Sequence, residues 1–159
     1  MKIGKLNLGK KFYYYTARFT IVHVLTYMFV GVVFANLQNY KAAFISIEQY
    51  ENYRTLNSAV VRAAPFFQIF RGSFFAVILY PFYETIMKTE HGWLKLFFVI
   101  WGFAFIGTVA PIPGSIEGLI YTNLSLKEHL MGFPEVTVQV LMFSWFFVKW
   151  ETRTERDYT

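Results

Sequence analysis

The sequence predicts an all-α integral membrane protein: a four-helix transmembrane bundle forming one domain over residues 1–159, with both termini cytoplasmic. Three observations carry this expectation. The first is composition. Apolar residues make up 55% of the chain and aromatics 21%, with 19 Phe, while charged residues reach only 16%, against roughly 25% in an ordinary soluble domain. One soluble core of this size does not need so much Phe, so the excess apolar surface must face hydrocarbon. The second is four apolar stretches, about 19–37, 66–87, 93–112 and 132–150. They hold five of the 25 charged residues: Arg71, Glu84, Lys95, Glu135 and Lys149. A helix needs about 20 residues to cross ~30 Å of hydrocarbon, and open sheet edges cannot face lipid. The third is the uneven division of Lys and Arg between the loops.

Each span has its boundary signals. The first follows Tyr13, Tyr14 and Tyr15, an aromatic belt at the interface. Its apolar run is longer than the core of a signal peptide, so it is read as a retained span. Pro65 precedes the second span and Pro134 opens the fourth, where a missing N–H costs nothing. Pro81 should kink the last turns of the second span. Pro111 and Pro113 with Gly114 stop the third. Trp93, Trp145 and Trp150 mark the interface again.

Orientation follows from charge. Lys2, Lys5, Lys10, Lys11, Arg18, Lys88, Lys95, Lys149, Arg153 and Arg156 fall on one side. Lys41, Arg54, Arg62 and Lys127 fall on the other. The side with ten is cytoplasmic by the positive-inside rule. The net charge of +5 is therefore a topology signal with attraction to anionic lipid, and no nucleic-acid partner is expected. The expected setting is the plasma membrane of a prokaryote. Outside the spans, residues 43–56 suggest an interfacial helix. The loop 113–131 is apolar enough to dip back or to pack across the bundle mouth. The tail 151–159 is charged and expected to fray.

Ionisable groups inside spans are costly and are candidates for function. They divide into two layers. The outer layer holds Gln68, Arg71, Glu117, His129 and Glu135, and the inner layer holds His23, Tyr27, Tyr80 and Glu84. Arg71 can snorkel outward, since helix side chains lean toward the N-terminus; it can equally take an anion. Glu135 suits a helix first turn. Glu84 leans back into hydrocarbon on a short side chain, so a bundle partner is expected, with His23 or Tyr27 the nearest in depth. Small residues at Gly102, Ala104, Gly107 and Thr108 favour close helix packing.

No cofactor is expected. Haem would need paired axial ligands at one depth, and of the three His only His23 and His91 approach that. The absence of Cys excludes disulfides, thiolate metal sites and a Cys nucleophile. Asp157 is the only Asp, so an intramembrane aspartyl dyad is excluded. Ser115 between Gly114 and Ile116, near Glu117, reads as a turn rather than a nucleophile. The expected function is non-enzymatic binding of a lipid headgroup, small amphiphile or partner subunit through Arg71, Gln68, Glu117 and Glu135. Expected partners are membrane lipids, with a homo-oligomer or a larger membrane complex as further candidates. The alternative is an intramembrane enzyme or proton-coupled carrier using His23 and Glu84.

Overall fold

The computed structural model describes residues 3–39, 54 and 57–157. Every regular element among them is helical, as the composition requires. Three helical segments are long and apolar enough to cross a membrane: Gly9–Leu37, Ala64–Met87 and Leu126–Thr154. The interfacial helix expected over 43–56 lies, apart from Arg54, outside the described residues. The chain divides into two compact units, Met1–Pro81 and Phe82–Thr159.

The first unit is a helical hairpin. Helix α1, Ile3–Leu37, starts well before the predicted span, because nothing between Lys10 and Val30 interrupts it. Ser58 caps the short helix α2, Ala59–Arg62, by accepting the Val61 N–H. Helix α3, Ala64–Leu79, follows with Pro65 in its first turn. It runs antiparallel to α1: Gln68 meets His23, Ser73 meets Thr20, and Tyr80 meets Tyr15 and Phe12. The buried face of α1 is Tyr15, Phe19, Val22, His23, Thr26 and Val30, an i, i+4, i+7 stripe. Opposite it lie Gly72, Ala76 and Leu79. The outward faces carry Leu25, Phe29, Phe66, Phe70 and Phe74, all exposed, which suits lipid and not water. Pro81 has the predicted effect. A 3-10 turn, Tyr80–Phe82, interrupts the helix there.

The second unit begins with helix α4, Tyr83–Met87. A tight turn leads to α5, Gly92–Phe105. Gly92 is required in that turn, because a Cβ there would run into the Ile86 carbonyl oxygen. Two short helices, α6 (Ile116–Tyr121) and α7 (Leu126–Leu130), precede α8, Phe133–Asp157. Helices α5 and α8 are antiparallel: the Trp101 indole N–H donates to Thr137 Oγ1 at 3.0 Å, and Phe105 stacks obliquely on Phe133 with centroids 4.5 Å apart.

Two further boundaries differ from expectation. The third predicted span, 93–112, is helical only to Phe105. Fourteen residues rise roughly 21 Å, short of the hydrocarbon thickness. The helix ends where Ile106 and Gly107 both donate to the Gly102 carbonyl, ahead of Pro111, which restricts only its own turn and Ala110. Conversely, the tail expected to fray is helical through Asp157, because Glu151 is anchored, as described next.

Candidate functional site

In the first unit the polar residues converge on one level of the hairpin. His23 is buried, fourteen residues from either end of Gly9–Leu37. Its Nε2 lies 3.2 Å from Gln68 Oε1, and with a carbonyl oxygen as partner the ring nitrogen donates. Thr20 Oγ1 and Ser73 Oγ, 3.1 Å apart, form a second polar link one turn away. Gly72 lies between these links. A Cβ there would stand 3.1 Å from His23 Cδ2 and 3.3 Å from Thr20 Cα, so the missing side chain lets the helices approach. Thr26 Oγ1 bonds back to the Val22 carbonyl and so satisfies itself.

Arg71 stands next to this cluster and is exposed. Its guanidinium carbon lies 5.5 Å from the centre of the Phe75 ring. The same ring meets His23 edge-on, with centroids 6.2 Å apart. Among the described residues no carboxylate pairs with Arg71. The two expected layers therefore merge in this unit: Gln68 and Arg71, assigned to the outer one, sit with His23, assigned to the inner one. The reason is the early start of α1, which moves His23 from the end of a span to its middle. Tyr80 lies farther along the hairpin, against Phe12 and Tyr15 at 4.8 and 5.2 Å. Tyr27 is half-buried and off the buried stripe.

Glu84, expected to find a partner in His23, Tyr27 or another polar group of the bundle, has one on its own segment. Glu84 is exposed and forms an ion pair with Lys88, one turn later on its own segment, while Gln68 occupies Nε2 of His23. An i, i+4 Glu–Lys pair in this order is favoured on any helix, so Glu84 needs no partner from another helix.

The second unit holds the remaining candidates. Ser115 and His129 are buried, at 1% and 3% exposure, but they are not a catalytic pair. Ser115 Oγ caps α6 by accepting the Gly118 N–H at 2.8 Å and turns its own proton to the carbonyls of Ile112 and Ala110, at 2.8 and 2.9 Å. His129 Nδ1 accepts the Gly114 N–H at 3.2 Å. Its Nε2 lies 3.4 Å from Thr122 Oγ1, which itself donates to the Gly118 carbonyl at 2.7 Å. This leaves Nε2 as the donor, and His129 pins the loop. Gly114, at φ +88°, makes the sharp turn the loop needs. Ser125 and Glu128 cap α7 reciprocally. One carboxylate oxygen of Glu117 is buried without a hydrogen bond among the described residues. Glu135 lies in the first turn of α8, where the helix dipole favours it.

The sequence reading missed Glu151. It is 2% exposed and accepts a hydrogen bond from the Tyr83 hydroxyl at 3.2 Å. A period in α8 announced it: the buried residues Val140, Phe143, Ser144, Phe147 and Val148 repeat at three and four, and the next position is 151. Among the described residues, no three His, Cys, Asp or Glu cluster as a metal site. Comparison with protein-family models, curated proteins and solved structures finds no match to this chain.

Proposed function

We propose that this chain is a small, non-enzymatic membrane protein that crosses the bilayer four times as a helical bundle, with both termini cytoplasmic, in the plasma membrane of a prokaryote. Its task is to bind the anionic headgroup of a lipid or a small anionic amphiphile at Arg71. One observation carries the reading. Arg71 is an exposed guanidinium on an otherwise apolar helix face, laid over Phe75 and met by no carboxylate among the described residues. A permanent charge at such a position is costly, and an anion that reaches it from the bilayer surface repays that cost with paired hydrogen bonds. Gln68, one turn away on the same helix, supplies a further polar group at the same level. A homo-oligomer or a larger membrane complex is the setting in which such a ligand would be shared.

The proton-handling alternative draws less support, because Glu84 spends its charge on Lys88 and His23 is hydrogen-bonded to Gln68. Native mass spectrometry of the purified chain tests the proposal. The wild type should carry a co-purifying anionic adduct. Arg71→Ala should lose it, Arg71→Lys should retain part of it, and His23→Ala should keep it. A wild type without an adduct, or an adduct indifferent to Arg71→Ala, overturns the assignment.

A further inference from the structure

The chain between α5 and α8 has the polarity of a loop in water turned inside out. Glu117 is the only Asp, Glu, Lys or Arg between Lys95 and Lys127. Ile106, Val109, Ile112, Ile116, Leu119 and Ile120 are all exposed, Val109 to 87%. The polar side chains of the loop turn inward instead. Ser115 and His129 are buried, and the Thr122 hydroxyl donates to the Gly118 carbonyl. The backbone follows the same rule. Pro111 and Pro113 carry no N–H. The Ile112 N–H donates to the Ala110 carbonyl at 2.8 Å, the Gly114 N–H to His129 Nδ1 at 3.2 Å, and the Ser115 N–H to the Ile112 carbonyl at 3.1 Å. Residues 111–115 are not helical, yet each N–H there is either missing or already paired.

Irregular backbone is tolerated at membrane depth only when its polar groups are satisfied within the protein. A loop in water has no need of that pairing, and a contiguous apolar surface costs free energy there. The exceptions to the pattern set the depth. Glu117 is half-buried, and a carboxylate costs far less near the headgroups than at the bilayer centre. Tyr121 is 75% exposed, and a tyrosine ring suits the interface. Asn123, Ser125 and Lys127, just beyond it, are exposed polar groups that belong in water.

We propose that residues 106–121 form a membrane-seated loop whose partner is lipid acyl chain just beneath the headgroups. The inference rests on the chain being a membrane protein and not on the Arg71 site. The test places an environment-sensitive fluorophore on single cysteines in the full-length chain, which has no cysteine of its own. The variants are Leu119→Cys, Ile120→Cys and Asn123→Cys, with Leu25→Cys, near the middle of Gly9–Leu37, as the reference. Each is reconstituted in phosphatidylcholine vesicles with either iodide on both sides or brominated phosphatidylcholine in the bilayer. The probes at 25, 119 and 120 should be quenched by the lipid and not by iodide, and the probe at 123 the reverse. Bromines close to the headgroup should quench the probes at 119 and 120 more than bromines deep in the chain. Iodide quenching at 119 and 120 would put the loop in water and overturn the proposal. Quenching by neither agent would mean that protein covers the loop, and would overturn the lipid assignment. Stronger quenching there by the deep bromines would overturn the shallow placement. A probe at 25 that the lipid fails to quench would refute the membrane reading itself, which separates that failure from the failure of this inference.

Discussion

Gly72 is a point of close approach between the two helices of the first unit. The nearest atoms to a Cβ there belong to His23 and to the backbone of Thr20, so the site takes a methyl group only if His23 yields by a few tenths of an ångström. A branched side chain has no such remedy. Gly72→Leu should destabilise the hairpin by about 1–3 kcal/mol, the usual cost of overpacking, and should break the His23–Gln68 hydrogen bond. Gly72→Ala should cost less than Gly72→Leu. Thermal unfolding in detergent, followed by circular dichroism, checks the order; a Leu variant as stable as the wild type would show that the close approach is unnecessary. Arg71, His23 and Gln68 were all legible in the sequence as polar residues in apolar spans, but their grouping was not. Depth was counted from Phe19, the first residue after Arg18, whereas the apolar helix begins at Gly9. Glu84 shows the opposite failing. Its partner Lys88 stood four residues away and was read only as a loop charge.

At the scale of elements, the buried stripe decides which polar residues matter. On α8 the stripe runs from Val140 to Val148 and ends on Glu151. The composition of 151–159 reads as a solvated tail, yet the heptad spacing places Glu151 on the packed face. Periodicity was the better guide here, because burial follows the helix face and not the local charge density. A buried carboxylate must be satisfied, and the Tyr83 hydroxyl is one of its donors. Tyr83→Phe should therefore cost about 1–3 kcal/mol. Glu151→Gln, which keeps an acceptor for Tyr83, should cost less than Glu151→Ala. Unfolding by a denaturing detergent would measure this order, and an unperturbed Tyr83→Phe variant would remove the hydroxyl from the account. The loop reading of 113–131 passed over one signal: Ser125-Leu-Lys-Glu128 is a capping box, and it opens α7. The role of His129 was not legible, because its contacts to Gly114 and Thr122 depend on how the loop closes on itself.

At the scale of the whole molecule, the question is how many times the chain crosses the bilayer. Among the described residues three helical segments have the required length and apolarity, and an odd number of crossings would put the termini on opposite sides. The pairing within each unit argues for an even number. Helices α1 and α3 run antiparallel, and so do α5 and α8, with Trp101 against Thr137 and Phe105 against Phe133. In the proposed four-crossing arrangement each hairpin would return the chain to the side it came from. Helix α5 falls short, and the apolar residues that follow it, Ile106, Val109 and Ile112, are exposed, so a fourth crossing needs them to complete the passage as non-helical chain. The lack of native cysteine makes this directly measurable, since any introduced thiol is the only one present. Asn57, Glu90 and Asn123 are exposed positions in the three connections. With an impermeant maleimide on intact cells, Asn57→Cys and Asn123→Cys should label, and Glu90→Cys should label only after permeabilisation. Labelling of Glu90→Cys and Asn123→Cys from the same side would mean that α5 enters the membrane and returns without crossing. Three crossings would then remain, and the chain would end on the side opposite its start.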